Sequence, residues 1–420
     1  MISRRVAAAA ATVLMMAAVV PWSFAQSPPP VPLPDPLAMA NGSRVTTADQ
    51  WFAQRKPELR AQFEELMYGR APAAPEPVAG RTLFADNDAF GGRATLREVE
   101  LTFGPPEWPK IYLLVASPNV ERAAACFVGL NFGGNHLRLD DKRIRLPTAW
   151  MQDKYPGVVD HRATEAGRGK QGEGSDQWPL EEAINRGYAI ATFYCGDIQP
   201  DRPDVREAMR ATLPDVDDPA ATATIMWWAW GVSRAVDYLV ADPHVDGKRL
   251  AVVGHSRLGK AALVAGALDD RIALTIPSQA GCGGSGPSRH NDPRAETVAI
   301  ITKNNRHWFC GNFATFGADT TRLPFDQNGL VAMCAPRPVL FNAAAEDVWA
   351  NPVGQFEVLR AATPVYELLG VEGLATDAAM PAAGEPMIDS RLGFAFRKGV
   401  HSLRLEDWQT FFDYADKWLP

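Results

Sequence analysis

The sequence predicts an α/β fold, a mostly parallel central sheet sandwiched by helices. Three observations predict it. Short apolar runs with strand character alternate with helical patterns, the arrangement that builds parallel sheets covered on both faces. Apolar residues make up 46% of the 420 positions, enough for a large core without covalent staples. Residues 250–268 read as a strand, a serine two positions after a glycine, and a helix.

Taken in order, the chain opens on Met1-Ile2-Ser3-Arg4-Arg5, a short basic segment. Residues 6–20 are almost wholly apolar, and Ser23-Phe24-Ala25 supplies small residues at the −3 and −1 positions. This is the pattern of a secretory signal cut after Ala25. The apolar run falls short of the ~20 residues a membrane span needs. The expectation is therefore an exported protein, periplasmic or secreted, with no membrane attachment after cleavage. Residues 26–44 form a proline-rich leader, expected to be extended and poorly packed. Residues 45–420 read as a single domain.

Within that domain, residues 48–70 read as a pair of helices. Strands are expected at 110–116, 126–132, 188–194, 250–253, 273–277 and 339–343. The longest helical pattern spans 220–240, and a terminal helix spans 406–418. Residues 136–186 are polar and rich in Gly, Arg and Asp, and read as an insertion over one end of the sheet.

Composition excludes some functions. The net charge is −7 and no basic stripe runs along the chain, so nucleic acid is not an expected partner. The five cysteines include no CxxC pair and no tight Cys/His cluster, so no zinc site is expected. Five is odd, so at least one stays unpaired. Cys126, Cys195 and Cys334 lie in or beside apolar stretches, as small buried hydrophobes do. No metal or cofactor is called for, and a monomer is the expectation.

The chemistry centres on Gly254-His255-Ser256-Arg257-Leu258-Gly259-Lys260. A serine between a strand and a helix is the nucleophile elbow of the α/β-hydrolase fold, with loop insertions arching over the active site. The second glycine is displaced by one position, with Leu258 in its usual place. A helix-capping serine is the plain alternative. A nucleophilic serine needs a base and an orienting acid. In this fold they follow the serine in the order acid, then histidine. His290, His307 and His401 follow Ser256. Asp347 stands just past the apolar run at 339–343, and only His401 lies beyond it, in a loop before the terminal helix. The triad read from order alone is Ser256, Asp347 and His401. Glu346 competes as the acid, and His255 is a weaker competitor as the base. The oxyanion hole would use the N–H of Arg257 and a second donor from residues 131–136, whose two glycines also fit a plain turn.

At this elbow the sequence resembles the glucuronoyl esterases of carbohydrate esterase family 15, of the bacterial type. Their elbow reads G-[CH]-S-R-x-G-K. Further segments agree in order: Gly281-Cys282-Gly283-Gly284 with Ser288-Arg289, then Arg306-His307-Trp308-Phe309, Pro336-Arg337-Pro338, and the run from Glu346-Asp347 through Trp349 to Pro352. The resemblance covers about residues 45–420. It implies a carboxylic ester hydrolase that cleaves the ester between 4-O-methyl-glucuronic acid of glucuronoxylan and lignin alcohols. It implies that the Arg257 side chain assists the oxyanion, that Lys260 binds sugar hydroxyls, and that Glu296 and Trp349 contact the uronate. Fungal members carry their triad glutamate in an E-S-G-x-G-G segment. The matching run here begins at Gln279, and glutamine cannot balance an imidazolium, which leaves the acid to Asp347. The alternatives are another carbohydrate esterase, such as an acetyl xylan esterase, and a catalytically inactive hydrolase fold that binds polysaccharide.

Overall fold

All six expected strands belong to one sheet, and three further strands join them. The computed structural model describes residues 31–74, 77–171, 176–203, 208–212 and 218–419. The segment read as a secretory signal lies outside these residues. In chain order the sheet contains β1 (Ala79–Asp88), β2 (Ala94–Thr102), β3 (Ile111–Pro118), β4 (Ala124–Asn131) and β5 (Ala189–Tyr194). It continues with β6 (Val245–His255), β7 (Ile272–Ser278), β8 (Val339–Ala344) and β9 (Leu392–Arg397). Their spatial order is β1-β2-β3-β5-β4-β6-β7-β8-β9. From β5 to β9 neighbouring strands are parallel, while β3, β2 and β1 extend the sheet antiparallel. This is the α/β-hydrolase arrangement.

The three additional strands escape a search for apolar runs for physical reasons. β1 is an edge strand and mostly exposed. β2 is buried but carries Arg97, Glu98 and Glu100. Arg97 pairs with Asp242 at 2.8 Å, and Glu98 accepts the N–H of Arg145 at 3.0 Å. Buried charge held by partners makes this strand read as polar. β9 is short and half-polar at its end.

The core lies on both faces of the sheet because buried strands alternate their side chains. Cys126, Val128 and Leu130 of β4 face one cluster, with Leu250 and Val252 of β6. Phe127 of β4 and Ala251 and Val253 of β6 face the other. The helices Thr224–Leu239, Arg257–Leu268, Gln327–Cys334 and Pro352–Leu368 cover the first face. Leu180–Asn185 and the C-terminal helix Leu405–Trp418 cover the second, through Ile184, Trp408 and Phe412.

Two expectations change. Residues 48–68 form one continuous helical run rather than a pair, with wider turns at Trp51–Arg55 and Glu64–Tyr68. The leader residues that are described are not loosely held. Leu37 is buried, the Pro36 carbonyl accepts from Arg55 Nε at 2.9 Å, and the Pro34 carbonyl accepts from Asn328 Nδ2 at 2.7 Å. Proline lacks an N–H but keeps its carbonyl, and both carbonyls find donors on the domain. All five cysteines are free and buried. Among the described residues no helix is long and apolar enough to cross a membrane.

What the topology does for function is simple. Six parallel strands end at the same edge of the sheet, and ligands of open α/β sheets bind beyond such carboxyl ends. Every residue singled out in the sequence as triad member or oxyanion donor follows one of these strands.

Candidate active site

Ser256 sits between β6 and the helix Arg257–Leu268 with φ 56° and ψ −127°. A non-glycine residue held there stores about 1–3 kcal/mol of backbone strain. Its N–H donates to the Ser278 carbonyl on β7 at 2.8 Å, and its carbonyl accepts from Gly259 and Lys260 at 2.9 and 3.2 Å. A Cβ on Gly254 would lie 2.1 Å from the Leu258 carbonyl oxygen. Gly259 also packs closely, since its Cβ would approach the Gly254 and Ser278 carbonyls at 2.9 and 3.0 Å. The displaced glycine therefore serves close packing against β6 and β7, while Leu258 turns inward and is buried.

Asp347 follows β8 and His401 follows β9. His401 Nδ1 and Asp347 Oδ2 are 2.6 Å apart. The loops are laced together, with Ala345 N–H donating to the Arg397 carbonyl at 2.9 Å and Glu346 N–H to the Gly399 carbonyl at 3.0 Å. The Asp347 side chain is buried, whereas Glu346 is exposed. The geometry thus separates the two acids. His290 contacts the Glu296 carbonyl, and His307 contacts Asp201.

His255, the weaker competitor as base, is buried with its ring centroid 4.6 Å from that of His401. Burial first, then the neighbouring His401 ring and the Arg397 and Arg257 guanidiniums, hold its pKa well below the usual imidazole value. It flanks His401 as a neutral ring. That contact also brings His401 alongside the elbow, one residue from Ser256.

Arg257 is held from several sides. Its Nε lies 2.5 Å from Asp201 Oδ2, Nη2 donates to Tyr155 Oη at 3.1 Å, and the guanidinium covers Phe132 at 4.3 Å. The other Asp201 oxygen receives His307 Nε2 at 2.9 Å and Trp308 Nε1 at 2.7 Å. Sequence reasoning missed Asp201, which follows β5. His307 and Trp308 were noted only as a matching motif. Tyr155 and Gln152, which donates to Asp201 Oδ2 at 3.1 Å, bring the 136–186 segment into the site.

Residues 131–136 behave as a built turn. Asn131 Oδ1 accepts the N–H of Gly134 at 2.7 Å, and the N–H of Phe132 donates to Asp176 Oδ2 at 3.2 Å. A Cβ on Gly133 would meet Leu137 at 2.3 Å, and one on Gly134 would meet Pro147 at 2.5 Å. Gly133 is thus required by close packing, and Gly134 by packing against Pro147 and by its φ of 88°.

Comparison with known proteins identifies the class. The profile for glucuronyl esterase of fungi matches residues 183–370. The carbohydrate esterase MZ0003 of an unknown prokaryotic organism is 39% identical over 401 residues, covering 92% of this chain and 90% of that one. The chain belongs to the glucuronoyl esterase family, carbohydrate esterase family 15. The structure of a glucuronoyl esterase from Solibacter usitatus superposes with a TM-score of 0.86 at 32% identity, covering 95% of this chain and 100% of that one. The 4-O-methyl-glucuronoyl methylesterase 1 of Wolfiporia cocos is 35% identical over 211 residues, covering 46% of this chain and 51% of that one. This glucuronoyl esterase family member is a carboxylic ester hydrolase.

The remaining expected residues of this esterase lie one helical turn from the elbow or across from it. Lys260 is buried, and its Nζ donates to the Ala280 and Cys282 carbonyls, each at 2.5 Å. An ammonium has three N–H groups, so two are engaged by the protein. Burial lowers the Lys260 pKa, and Glu296 counters that. Burial raises the Glu296 pKa, opposed by Lys260 and by a hydrogen bond with the Trp349 side chain. Glu296 is also tied to Trp349 through its backbone N–H, which donates to the Trp349 carbonyl at 3.0 Å. Trp349 is 48% exposed, an unusual position for a large aromatic.

Proposed function

We propose that this esterase hydrolyses the ester between 4-O-methyl-glucuronic acid of glucuronoxylan and lignin alcohols through a Ser256–His401–Asp347 triad and an acyl-enzyme. The observation that carries the reading is the 2.6 Å contact between His401 and Asp347 at the sheet edge where Ser256 is strained. In this mechanism His401 takes the Ser256 hydroxyl proton while the oxygen attacks the ester carbonyl. Asp347 orients the imidazole and stabilises its charged form. The carbon–oxygen bond to the alcohol breaks, and the alcohol leaves with the proton from His401. Water, deprotonated by His401, then attacks the acyl-serine; the bond to Ser256 Oγ breaks, His401 returns the proton to that oxygen, and the glucuronic acid is freed. The Arg257 N–H, at the start of the elbow helix, and its guanidinium would meet the oxyanion. Lys260, Glu296 and Trp349 would grip the uronate. The same reading takes residues 1–25 as an export signal and residues 45–420 as one catalytic domain.

Ser256→Ala should abolish turnover of methyl or benzyl glucuronate, and retained turnover would remove Ser256 from the mechanism. A panel of uronate, acetyl and feruloyl esters tests the substrate class. Faster hydrolysis of acetylated xylan than of the uronate esters would overturn it.

A further inference from the structure

The end of β7 holds a buried amide that the mechanism above does not use. Gln279 follows Ser278 directly, is 1% exposed, and has φ 50°. Its own N–H donates to the Asn342 carbonyl of β8 at 2.7 Å. Its side chain makes two bonds to a single residue. Nε2 donates to the Ser402 carbonyl at 2.7 Å, and Oε1 accepts the Ser402 N–H at 2.9 Å. Ser402 is the residue after His401.

From these two bonds we infer that Gln279 is a positioning residue for His401, fixing the loop that carries the imidazole. The inference rests on the triad reading. The Gln279 amide satisfies both Ser402 groups at any pH, because it is donor and acceptor at once. An ionised carboxylate accepts only, and would turn lone pairs toward the Ser402 carbonyl. Arg397 completes the grip, donating to the Ser402 carbonyl at 2.7 Å and to Ser402 Oγ at 2.9 Å. Arg397 is itself anchored on Asp407 at 2.7 Å, and Asn342 Nδ2 donates to the same carboxylate oxygen at 2.7 Å. Arg404 Nε also donates to Ser402 Oγ at 3.0 Å, so the charged and titratable groups around the pair are Arg397, Arg404, Asp407, His255, His401 and Asp347. The loop carries no regular hydrogen-bonded structure of its own between β9 and the C-terminal helix. With Gln279 and Arg397 on it, the Ser402 backbone is tied on both sides.

The test is steady-state kinetics of Gln279→Ala and the near-isosteric Gln279→Glu on benzyl glucuronate, with Asp347→Asn and the Gln279→Glu/Asp347→Asn pair. Misplacing a catalytic group by about 1 Å costs on the order of 100-fold. The expected result is a kcat lower by about 10- to 100-fold in both Gln279 single variants, with KM within about twofold because neither change touches the substrate. Thermal melts establish that the variants are folded, and Gln279→Glu serves if Gln279→Ala does not fold. Wild-type kcat in a folded variant, or a loss confined to KM, would overturn the inference. So would a Gln279→Glu change that restores activity to Asp347→Asn, since that position would then act as an acid. An Asp347→Asn enzyme that stays fully active defeats the triad reading itself, whatever the Gln279 variants do.

Discussion

Asp201 Oδ2 lies 2.5 Å from Arg257 Nε, and the carboxylate is shared with His307 and Trp308. Burial disfavours the Asp201 charge, but Arg257, His307 and Trp308 outweigh it and hold the carboxyl down at about 2. The residue after the nucleophile is therefore pinned by a group from a distant loop. Asp201→Ala should destabilise the fold by roughly 3–5 kcal/mol, the cost of leaving a buried charge unpaired, and Asp201→Asn by less. Both should lower kcat. An unfolded aspartate titrates near 3.9. Because the folded value is lower, the pair stabilises above about pH 4 and that stability is lost as pH falls toward about 2. Urea unfolding across that window should show a flatter acid limb in Asp201→Asn than in the wild type.

Asp347 and Glu346 are adjacent, yet only one is buried against His401. Asp347→Asn should reduce kcat on the order of 10³- to 10⁴-fold, the size expected when a triad acid is neutralised. Glu346→Gln should leave kcat within about twofold, as exposed substitutions usually do. Initial rates on one glucuronate ester compare the two directly.

His255 gives a separate pH signature. Burial and nearby positive charge keep it neutral in the fold, whereas an unfolded imidazole protonates near pH 6.5. The unfolded chain then binds the extra proton, so stability falls as pH drops below about 6.5, by up to about 1.4 kcal/mol per pH unit. His255→Gln removes that titration. Denaturant midpoints at pH 7 and pH 5 should differ less in the variant than in the wild type.

The elbow tests whether the usual G-x-S-x-G spacing is an improvement here. Leu258 is buried in the core, so Leu258→Gly removes a packed side chain and puts glycine in a helix. The expected cost is at least about 3 kcal/mol, summing a large-to-small core change and glycine's helix penalty. A lowered melting temperature is the readout. Equal or greater stability would show that the elbow does not depend on this packing.

Much of this was legible in the chain. Buried parallel strands must be apolar on both faces, so the six runs from 110 to 343 announced themselves. The elbow and its helix were readable because a strand, a tight turn and a helix leave a local pattern. Ser256, Asp347 and His401 could be nominated together because the fold constrains the chain order of nucleophile, acid and base. β2 was not, since its charges are neutralised by partners elsewhere in the chain, such as Asp242 for Arg97.

By itself the sequence determined the layered α/β architecture and nominated three residues spread over 146 positions (256 to 401). Only tertiary structure buried Asp347 against His401 while leaving Glu346 exposed, engaged the loop glycines in packing, and joined Asp201 to Arg257 and Gln279 to Ser402. The reason is physical. Apolar periodicity and turn geometry act between near neighbours and are written locally, whereas a hydrogen bond or ion pair depends on where two distant loops meet.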